Sequence, residues 1–262
     1  SADQADGAEV LRAALRTDAY GTTLLKGVTG SGKTEVYLEA VAECLRMGRQ
    51  ALVLLPEIAL SGEFINRVEA RFGFKPAEWH SGVTMTERRR CWKMVGQGAA
   101  QLIVGARSAL FLPFQNLGLI VVDEEHDTSY KQEDGVLYNA RDMAVLRAAI
   151  NGAQVVLASA TPSLESWANV EAGKYTRLVL SSRYGPAVMP KMSAIDMRAE
   201  DLPGGTWVSP TLRDAIAERM ERGEQSLIFL NRRGYAPVTL CRACGNQIGC
   251  DQCDARMVEH RF

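Results

Sequence analysis

The chain has 262 residues, of which 47% are hydrophobic and 23% charged, with 30 Lys and Arg against 31 Asp and Glu. This composition is typical of a folded globular protein and excludes a disordered chain, a collagen and a small disulfide scaffold. No apolar run approaches the roughly 20 residues that cross a bilayer, so the sequence predicts a cytoplasmic protein with no membrane partner. The net charge of −1 excludes nonspecific coating of nucleic acid and leaves room for a local binding site.

Short apolar runs alternate with helical patterns from Thr22 to about Leu180. Strands are predicted at Thr22–Lys26, Gln50–Leu55, Gln101–Val104, Gly118–Val122, Gln154–Ala158 and Tyr175–Leu180. Helices are predicted from near Lys33 to Gly48, after the capping box of Thr84 and Glu87, and from Asn139 to Gly152. Such alternation is typical of a parallel sheet flanked by helices on both faces. We therefore predict a doubly wound α/β domain.

The composition changes after residue 180. Residues 181–210 contain four of the nine prolines and little periodicity, which indicates a connecting segment. A helix from Ser209 to about Arg222 and an apolar strand from Ser226 to Leu230 then indicate the start of a second α/β domain over residues 211–240. Because the chain starts at a serine and stops soon after a cysteine-rich run, we interpret it as a piece of a longer protein.

A phosphate-binding loop follows the first predicted strand. The pattern G-x-x-x-x-G-K-[ST] is matched in full by Gly27, Val28, Thr29, Gly30, Ser31, Gly32, Lys33 and Thr34. Glycines let the backbone wrap around phosphates, and the start of the next helix offers unpaired N–H groups to an anion. Lys33 can reach the β- and γ-phosphates, and the Thr34 hydroxyl can bind Mg²⁺. An ordinary glycine-rich turn is the alternative, but the complete match favours an ATP site.

Acidic residues follow the strand at Gly118–Val122, at the sheet edge where open α/β folds bind ligands. Asp123 is placed to hold Mg²⁺, directly or through water, and Glu124 to orient and deprotonate an attacking water. Alone, an acidic cluster after a strand is more often a solvated loop. Beside a complete phosphate loop, catalysis of nucleotide hydrolysis is the better interpretation.

The order of motifs resembles that of superfamily 2 helicases. Gly-Lys-Thr is followed by Asp-Glu-Glu-His and then by Ser159-Ala160-Thr161, a run that in this family couples the nucleotide state to movement against nucleic acid. Ser159 and Thr161 could also cap the helix that Pro162 starts. The segments Gly105–Phe111, Asp123–Gln132 and Asn231–Pro237 narrow the resemblance to the bacterial replication-restart helicases.

That resemblance implies a RecA-like P-loop NTPase domain over residues 1–180 and the beginning of a second RecA-like domain. The implied activity is that of an ATP-driven 3′-to-5′ DNA helicase that recognises abandoned replication forks and helps to reload the replicative helicase. The implied partners are single-stranded and forked DNA, primosome proteins and the single-stranded DNA-binding protein. Because this class completes its ATP site with an arginine from the second motor domain, we expect the chain alone to bind ATP but to hydrolyse it poorly.

The resemblance also assigns roles to single residues. Gln4 lies where the family contacts adenine, and Tyr130 and Tyr138 lie in an aromatic-rich loop that senses single-stranded DNA. Packing of either tyrosine in the domain is the alternative. Arg107 is a candidate for contact with the DNA backbone, and His126 for the link between ATP hydrolysis and DNA movement.

Four of the six cysteines form two close pairs within residues 241–262, Cys241 with Cys244 and Cys250 with Cys253. In a cytosolic chain such spacing indicates zinc rather than disulfides, and four thiolates suffice for one tetrahedral Zn²⁺ ion. The resemblance implies instead two nested zinc sites, each completed by a later cysteine pair. On that interpretation this chain carries a partial zinc-binding segment.

Two other functions stay open. One is a different DNA-dependent ATPase of the same superfamily, such as a translocase or a restriction-enzyme motor. The other is a non-catalytic primosome assembly platform with a vestigial nucleotide site, against which the intact Lys33, Asp123 and Glu124 argue.

Overall fold

A computed structural model describes residues 2–17, 19–56, 62–183, 190–200, 206, 208–229, 249–250 and 253–256. Contacts divide the chain into two units, Ser1–Val188 and Met189–Phe262. The helices of the first unit are α1 (Ala2–Arg16), α2 (Lys33–Arg46), α3 (Gly62–Phe72), α4 (Met85–Gly96), α5 (Ala140–Asn151) and α6 (Leu164–Glu171). Its strands are β1 (Gly21–Gly27), β2 (Gln50–Leu54), β3 (Ala77–Trp79), β4 (Leu102–Gly105), β5 (Leu117–Asp123), β6 (Lys131–Gln132), β7 (Tyr138–Asn139), β8 (Gln154–Ser159) and β9 (Thr176–Leu180).

Seven of these strands form one parallel sheet in the order β3–β4–β2–β5–β8–β1–β9. Strands β2 and β8 are buried along their whole length, and β5 is buried up to its last residue. Such strands are rich in Val, Ile and Leu because both of their faces pack against helices. The remaining pair, β6 and β7, forms a small antiparallel ribbon.

Alternate residues of the central strands supply two hydrophobic cores, one on each face of the sheet. Helices α1, α2 and α3 cover one face, where Leu25, Val53 and Val121 belong to the buried cluster. Helices α4 and α5 cover the other, where Leu24 and Ile120 are buried. Because side chains alternate along a strand, neighbouring residues go to opposite cores. The sheet is thus fixed from both sides, with its carboxyl edge at the start of α2.

All six strands that the sequence predicts between residues 22 and 180 are present, and the predicted α/β class is confirmed. The helix starts are also confirmed: the Thr84 side chain accepts the Glu87 N–H in a complete capping box, and Asn139 caps α5. Gly152 ends α5 in the left-handed conformation, with φ of 65°. Glycine is common at helix C-termini because it adopts this conformation without steric cost.

The first unit also contains elements that the sequence analysis did not predict, namely α1, α3, β3, β6 and β7. Strand β3 was not predicted, because three residues of mixed polarity make no recognisable apolar run. Helix α6 begins at Leu164, and its cap is Ser163, which accepts the Ser166 N–H. The expectation that Ser159 or Thr161 caps this helix is therefore wrong.

The second unit contains helix α7 (Pro210–Glu221), capped by Ser209 as predicted. The predicted strand at Ser226–Leu230 is not formed over residues 226–229, where Leu227 is 96% exposed. An apolar run needs neighbouring strands to pair with, and no strand pairs with it among the described residues of this unit. The described residues of this unit also contain a short antiparallel pair, β10 (Gly249–Cys250) and β11 (Cys253–Arg256). Among the described residues, no helix is both long and apolar enough to cross a membrane.

Candidate active site

The phosphate-binding loop runs from the end of β1 to the start of α2. Gly30 and Gly32 have φ of 81° and 85°, in the left-handed region that favours glycine. A Cβ atom on Gly27 would lie 2.4 Å from the Ser31 hydroxyl oxygen, so this position also requires glycine. The sequence pattern and the backbone geometry therefore agree at Gly27 and Gly32, the two glycines that the pattern fixes.

Polar groups converge inside this loop. Lys33 is buried, and its Nζ donates to the Gly27 carbonyl oxygen at 3.0 Å. The Ser31 Oγ atom is buried and has no hydrogen-bond partner among the described residues. Gly32 supplies no side-chain cap to the first N–H groups of α2. A buried hydroxyl, a lysine and an uncapped helix N-terminus are the groups that a nucleotide phosphate satisfies, so the loop fits the ligand that its sequence predicts.

Gln4 lies directly against the loop. Its Nε2 donates to the Ser31 carbonyl oxygen at 2.8 Å, which joins α1 to the phosphate-binding segment. Sequence reasoning placed Gln4 at the adenine base, and its position beside the nucleotide cleft is compatible with that assignment. The contact with the base itself stays a prediction.

A cleft of about 880 Å³ separates the phosphate loop from the end of β5. Its walls carry Gln4, Thr29, Gly30, Gly32, Lys33, Thr34, Glu35, Arg67, Asp123 and Glu124. A cavity of a few hundred to about 1,000 Å³ is typical of small-ligand sites. The structure therefore brings the predicted phosphate-binding and acidic residues together around one cavity.

Asp123 is the last residue of β5, and both of its carboxylate oxygens are engaged. Oδ1 accepts the Glu124 backbone N–H at 3.0 Å, and Oδ2 accepts the Tyr37 hydroxyl at 2.8 Å. Burial raises the pKa of Asp123, against the lowering effect of the Tyr37 hydrogen bond. Such a buried carboxylate, a hard oxygen ligand beside Thr34, suits a divalent cation that is itself oxygen-seeking.

Tyr37 is a site residue that sequence reasoning missed, since it was counted among the packing residues of α2. Its ring is completely buried, and burial raises the pKa of its hydroxyl well above the ordinary value. This hydroxyl donates to Asp123, one of the two residues predicted to hold Mg²⁺. The other, Thr34, is close enough to lower the pKa of the hydroxyl slightly against the effect of burial. Thr34 and Tyr37 are three residues apart and lie on one face of α2. This spacing is the signal that could have found Tyr37.

The turn after β5 sends two consecutive glutamates to opposite sides. Glu124 has φ of 48° and is the one non-glycine residue with positive φ in the described part of the chain. Its side chain is 41% exposed, on the wall of the cleft, whereas the Glu125 side chain is fully buried. The left-handed backbone at Glu124 is therefore what lets this residue reach the cleft while Glu125 points inward.

His126 and Ser159 join the acidic turn to the Ser-Ala-Thr run. His126 Nδ1 lies 2.8 Å from Ser159 Oγ and 3.6 Å from Glu124 Oε2. Ser159 Oγ also accepts the Thr161 backbone N–H at 3.0 Å. Three of the predicted coupling residues thus form one continuous chain of contacts that begins at Glu124.

The predicted DNA-contacting residues lie around a second cavity, of about 280 Å³. Arg107 Nη1 donates to the carbonyl oxygens of Ser129 and Lys131, at 3.0 and 2.8 Å. Tyr138 is half-buried and packs edge-on against Phe111, with the ring centroids 5.2 Å apart. These residues are close to one another but outside the nucleotide cleft.

Tyr130 is placed differently from the sequence prediction. Its ring is 1% exposed, and its hydroxyl donates to the carbonyl oxygens of Leu54 and Asp123, at 3.0 and 2.7 Å. Stacking on a base requires an exposed ring face. The predicted stacking role at Tyr130 is therefore not supported by this conformation, in which the residue fastens the aromatic-rich loop to the end of β5.

Two of the four predicted zinc ligands, Cys241 and Cys244, lie outside the described residues. The backbones of the other two, Cys250 and Cys253, are described and pair directly across the β10–β11 ribbon. No cluster of three or more potential metal-ligating side chains occurs in the described part of the chain, which does not include the side chains of these four cysteines. Zinc binding stays a prediction.

Comparison with known sequences shows strong similarity. The DEAD/DEAH box helicase family matches residues 7–170. The replication restart protein PriA of Rickettsia felis is 50% identical over 239 residues, which cover 91% of this chain and 37% of that protein. PriA of Bacillus subtilis is 44% identical over 255 residues, covering 97% of this chain and 32% of that protein. The chain therefore spans about a third of the length of these curated relatives.

Solved structures with the same fold are more distant in sequence. RecG bound to a three-way DNA junction has a TM-score of 0.54 and 22% identity, covering 71% of this chain and 24% of that one. The DUF1998 helicase MrfA has a TM-score of 0.53 and 18% identity, covering 86% of this chain and 36% of that one. At this level of identity, the likeness concerns the fold, which is the RecA-like fold of helicases.

Proposed function

Because the chain belongs to the DEAD/DEAH box helicase family, we propose that it is the ATP-binding motor part of a DNA helicase that acts in replication restart. The observation that carries this proposal is the alignment of three motifs on adjacent strands. The phosphate loop follows β1, Ser-Ala-Thr follows β8, and the acidic turn follows β5. This arrangement links a nucleotide cleft to a segment that can respond to nucleic acid.

Four residues of the cleft wall, together with Tyr37, have distinct tasks in the ATP hydrolysis that we propose. Lys33 and the N–H groups at the start of α2 bind and orient the phosphates. Thr34 and Asp123 would hold Mg²⁺, which neutralises charge on the phosphates when bound. Glu124 orients the attacking water and takes its proton. Tyr37 fixes the Asp123 carboxylate by the 2.8 Å hydrogen bond described above.

The second cavity is our proposed contact with the DNA backbone. Arg88 and Arg107 bring positive charge to it, and Ser81, Ser108 and Gln132 bring hydroxyl and amide groups. Phosphate oxygens accept hydrogen bonds from such groups without regard to base sequence. Contacts of this kind suit single-stranded or forked DNA and tolerate movement along it.

The similarity to PriA supports the finer proposals. These are 3′-to-5′ unwinding, action at stalled forks with primosome proteins and the single-stranded DNA-binding protein, and two zinc ions in the full-length protein, all in the cytoplasm. The chain covers about a third of those relatives. In the full-length protein, the second motor domain would supply the arginine that completes the ATP site. We therefore expect the 262-residue chain to bind ATP but neither to hydrolyse it rapidly nor to unwind DNA.

Nucleotide binding by the Lys33→Ala and Lys26→Ala variants tests the phosphate-loop assignment. Lys26 is the matched control, since it lies next to the loop but its Nζ is 4.7 Å from the centre of the Trp167 ring. Only Lys33→Ala should lose binding of a fluorescent ATP analogue. Unchanged binding by Lys33→Ala would contradict the assignment.

Turnover of ATP by the full-length protein, with and without single-stranded DNA, tests the motor function. We expect Mg²⁺-dependent hydrolysis that DNA stimulates and that Glu124→Gln abolishes. No turnover under any condition would favour the non-catalytic assembly platform. Turnover without strand separation on forked DNA would favour a translocase of the same family.

A further inference from the structure

Glu125 is a buried carboxylate for which the sequence motifs provide no chemical role. Its side chain has 0% exposure and accepts hydrogen bonds from three groups on the segment that starts α6. Oε1 accepts the Ser163 N–H at 2.7 Å, and Oε2 accepts the hydroxyls of Ser163 and Ser166, at 2.9 and 2.8 Å. Arg141 Nη1 lies 3.4 Å from Oε2. We call Glu125, Arg141, Ser163 and Ser166 the glutamate anchor.

The anchor joins three parts of the fold. Arg141 lies in the first turn of α5, and Ser163 is the cap of α6, which follows the Ser-Ala-Thr run by one residue. The backbone N–H of Glu125 donates to the Ala158 carbonyl oxygen at 3.1 Å, at the end of β8. Both the backbone and the side chain of Glu125 therefore bind the acidic turn to the segment that carries Ser159 and Thr161.

Such a carboxylate is costly to bury unless hydrogen bonds and an opposite charge compensate for its lost hydration. The anchor supplies both, from Arg141 and from three donors, so the arrangement is specific and complete. It also holds the residue next in sequence to Glu124, whose left-handed backbone costs about 1–2 kcal/mol in a non-glycine residue. A strained conformation of this kind persists only where the surrounding structure fixes it.

We propose that Glu125 is a positioning residue that holds the acidic turn and the Ser-Ala-Thr segment as one unit, so that DNA contact is transmitted to Glu124. This inference rests on the proposed function, in which Glu124 activates water. Glu125 itself touches neither nucleotide nor DNA. Its effect passes through Glu124 on one side and through Ser159, which contacts His126, on the other.

Glu125→Gln is the direct test in the full-length protein, because the amide nitrogen that replaces one carboxylate oxygen cannot accept the hydrogen bonds received there, and the negative charge facing Arg141 is lost. Glu165→Gln is the matched control, since Glu165 also lies near Arg141 Nη1, at 3.6 Å, but is 71% exposed. We expect DNA-stimulated ATP turnover to fall at least about ten-fold in Glu125→Gln, while the affinity for nucleotide stays within about two-fold. Glu165→Gln should behave as the unchanged protein.

Loss of folding is separated from loss of positioning by two measurements. Turnover is expressed per molecule that binds a fluorescent ADP analogue, which removes any unfolded fraction from the comparison. Ser166→Ala removes a single hydroxyl donor from the anchor and should lower the DNA stimulation in the same direction but less. Equal stimulation in Glu125→Gln, Ser166→Ala and Glu165→Gln would overturn the proposal.

Glu124→Gln in the same series separates the two levels of the argument. If it abolishes turnover while Glu125→Gln retains full DNA stimulation, the positioning role is wrong and the proposed function stands. If Glu124→Gln retains full turnover, both are wrong, because the residue that Glu125 is meant to position does no chemistry.

Discussion

Removal of the Tyr37 hydroxyl has effects that the structure lets us estimate. In Tyr37→Phe the ring remains in its buried site, and Asp123 Oδ2 loses its donor at 2.8 Å. A hydrogen bond to a charged group contributes about 1.5–3 kcal/mol. For a domain of this size each kcal/mol corresponds to a few degrees, so Tm should fall by about 3–10 °C.

The same change should weaken the response to magnesium. Without the Tyr37 hydroxyl, the Glu124 backbone N–H is the one remaining hydrogen-bond donor to the Asp123 carboxylate in the described part of the chain. A less fixed ligand pays more entropy when a cation binds, so the Mg²⁺ concentration for half-maximal ATP turnover should rise. Calorimetry gives Tm, and a magnesium titration of the full-length protein gives the second quantity.

Tyr20→Phe is the matched control for this experiment. The Tyr20 hydroxyl accepts from Thr22 at 3.1 Å, but the residue is 41% exposed and lies away from the cleft. Its removal should change the stability by less than about 0.5 kcal/mol. If Tyr37→Phe matched this control in both Tm and magnesium dependence, the Tyr37–Asp123 hydrogen bond would have no energetic importance and the reasoning would fail.

Three further predictions concern stability and reactivity. Gln50→Met should lower the free energy of unfolding by at least about 3 kcal/mol in a denaturant titration, because the buried Gln50 amide hydrogen-bonds four backbone groups of residues 95–116. A loss below about 1 kcal/mol, the contribution of one ordinary hydrogen bond, would contradict this. Burial raises the pKa of Glu35, but its bonds to Arg67 and Arg71 outweigh this and lower the pKa overall. The ionised carboxylate therefore stabilises the fold above the ordinary glutamate range, and Glu35→Gln should lower Tm at neutral pH by an amount that vanishes as the pH falls through the lowered pKa; a difference that persists in acid would refute this. Burial raises the pKa of the Cys44 thiol to about 12, so iodoacetamide at pH 8, a pH at which ~24% of an ordinary thiol is ionised, should spare Cys44 in peptide mapping of the folded protein, and rapid labelling would exclude the buried position.

The central fold could be predicted because most of its strands contain a short apolar run, such as Ala-Leu-Val-Leu in β2, Leu-Ile-Val-Val in β5 and Val-Val-Leu-Ala in β8. Burial on both faces removes the need for alternation, so such runs are visible without knowledge of the neighbouring strands. Strand β3 was missed because its three residues take their conformation from pairing with β4, which is a property of the sheet and not of the segment.

The candidate site divides in the same way. The phosphate loop is a local structure, so consecutive residues reveal it, and the acidic turn follows from a strand that can be recognised. Glu125, by contrast, depends on Arg141 and Ser166, which are 16 and 41 residues away. The stacking role of Tyr130 was inferred from the resemblance of its loop to that of a helicase family, with packing as the alternative. Its hydroxyl instead donates to the carbonyl oxygen of Leu54, 76 residues away, and the ring is buried.

The strand order has a consequence for how this protein can be altered. Since β8 lies between β5 and β1, the distance across the catalytic edge is two strand spacings, about 9.6 Å, and the backbone ladder fixes it. The turns at Gly48 and Gly152, each between a helix and the start of a strand, lie at the opposite edge, and no atom lies within 4 Å of a Cβ built on either glycine. Extra residues or a fluorescent label placed beside these turns would leave the spacing of the catalytic groups unchanged, which makes them suitable positions for a reporter of motor movement.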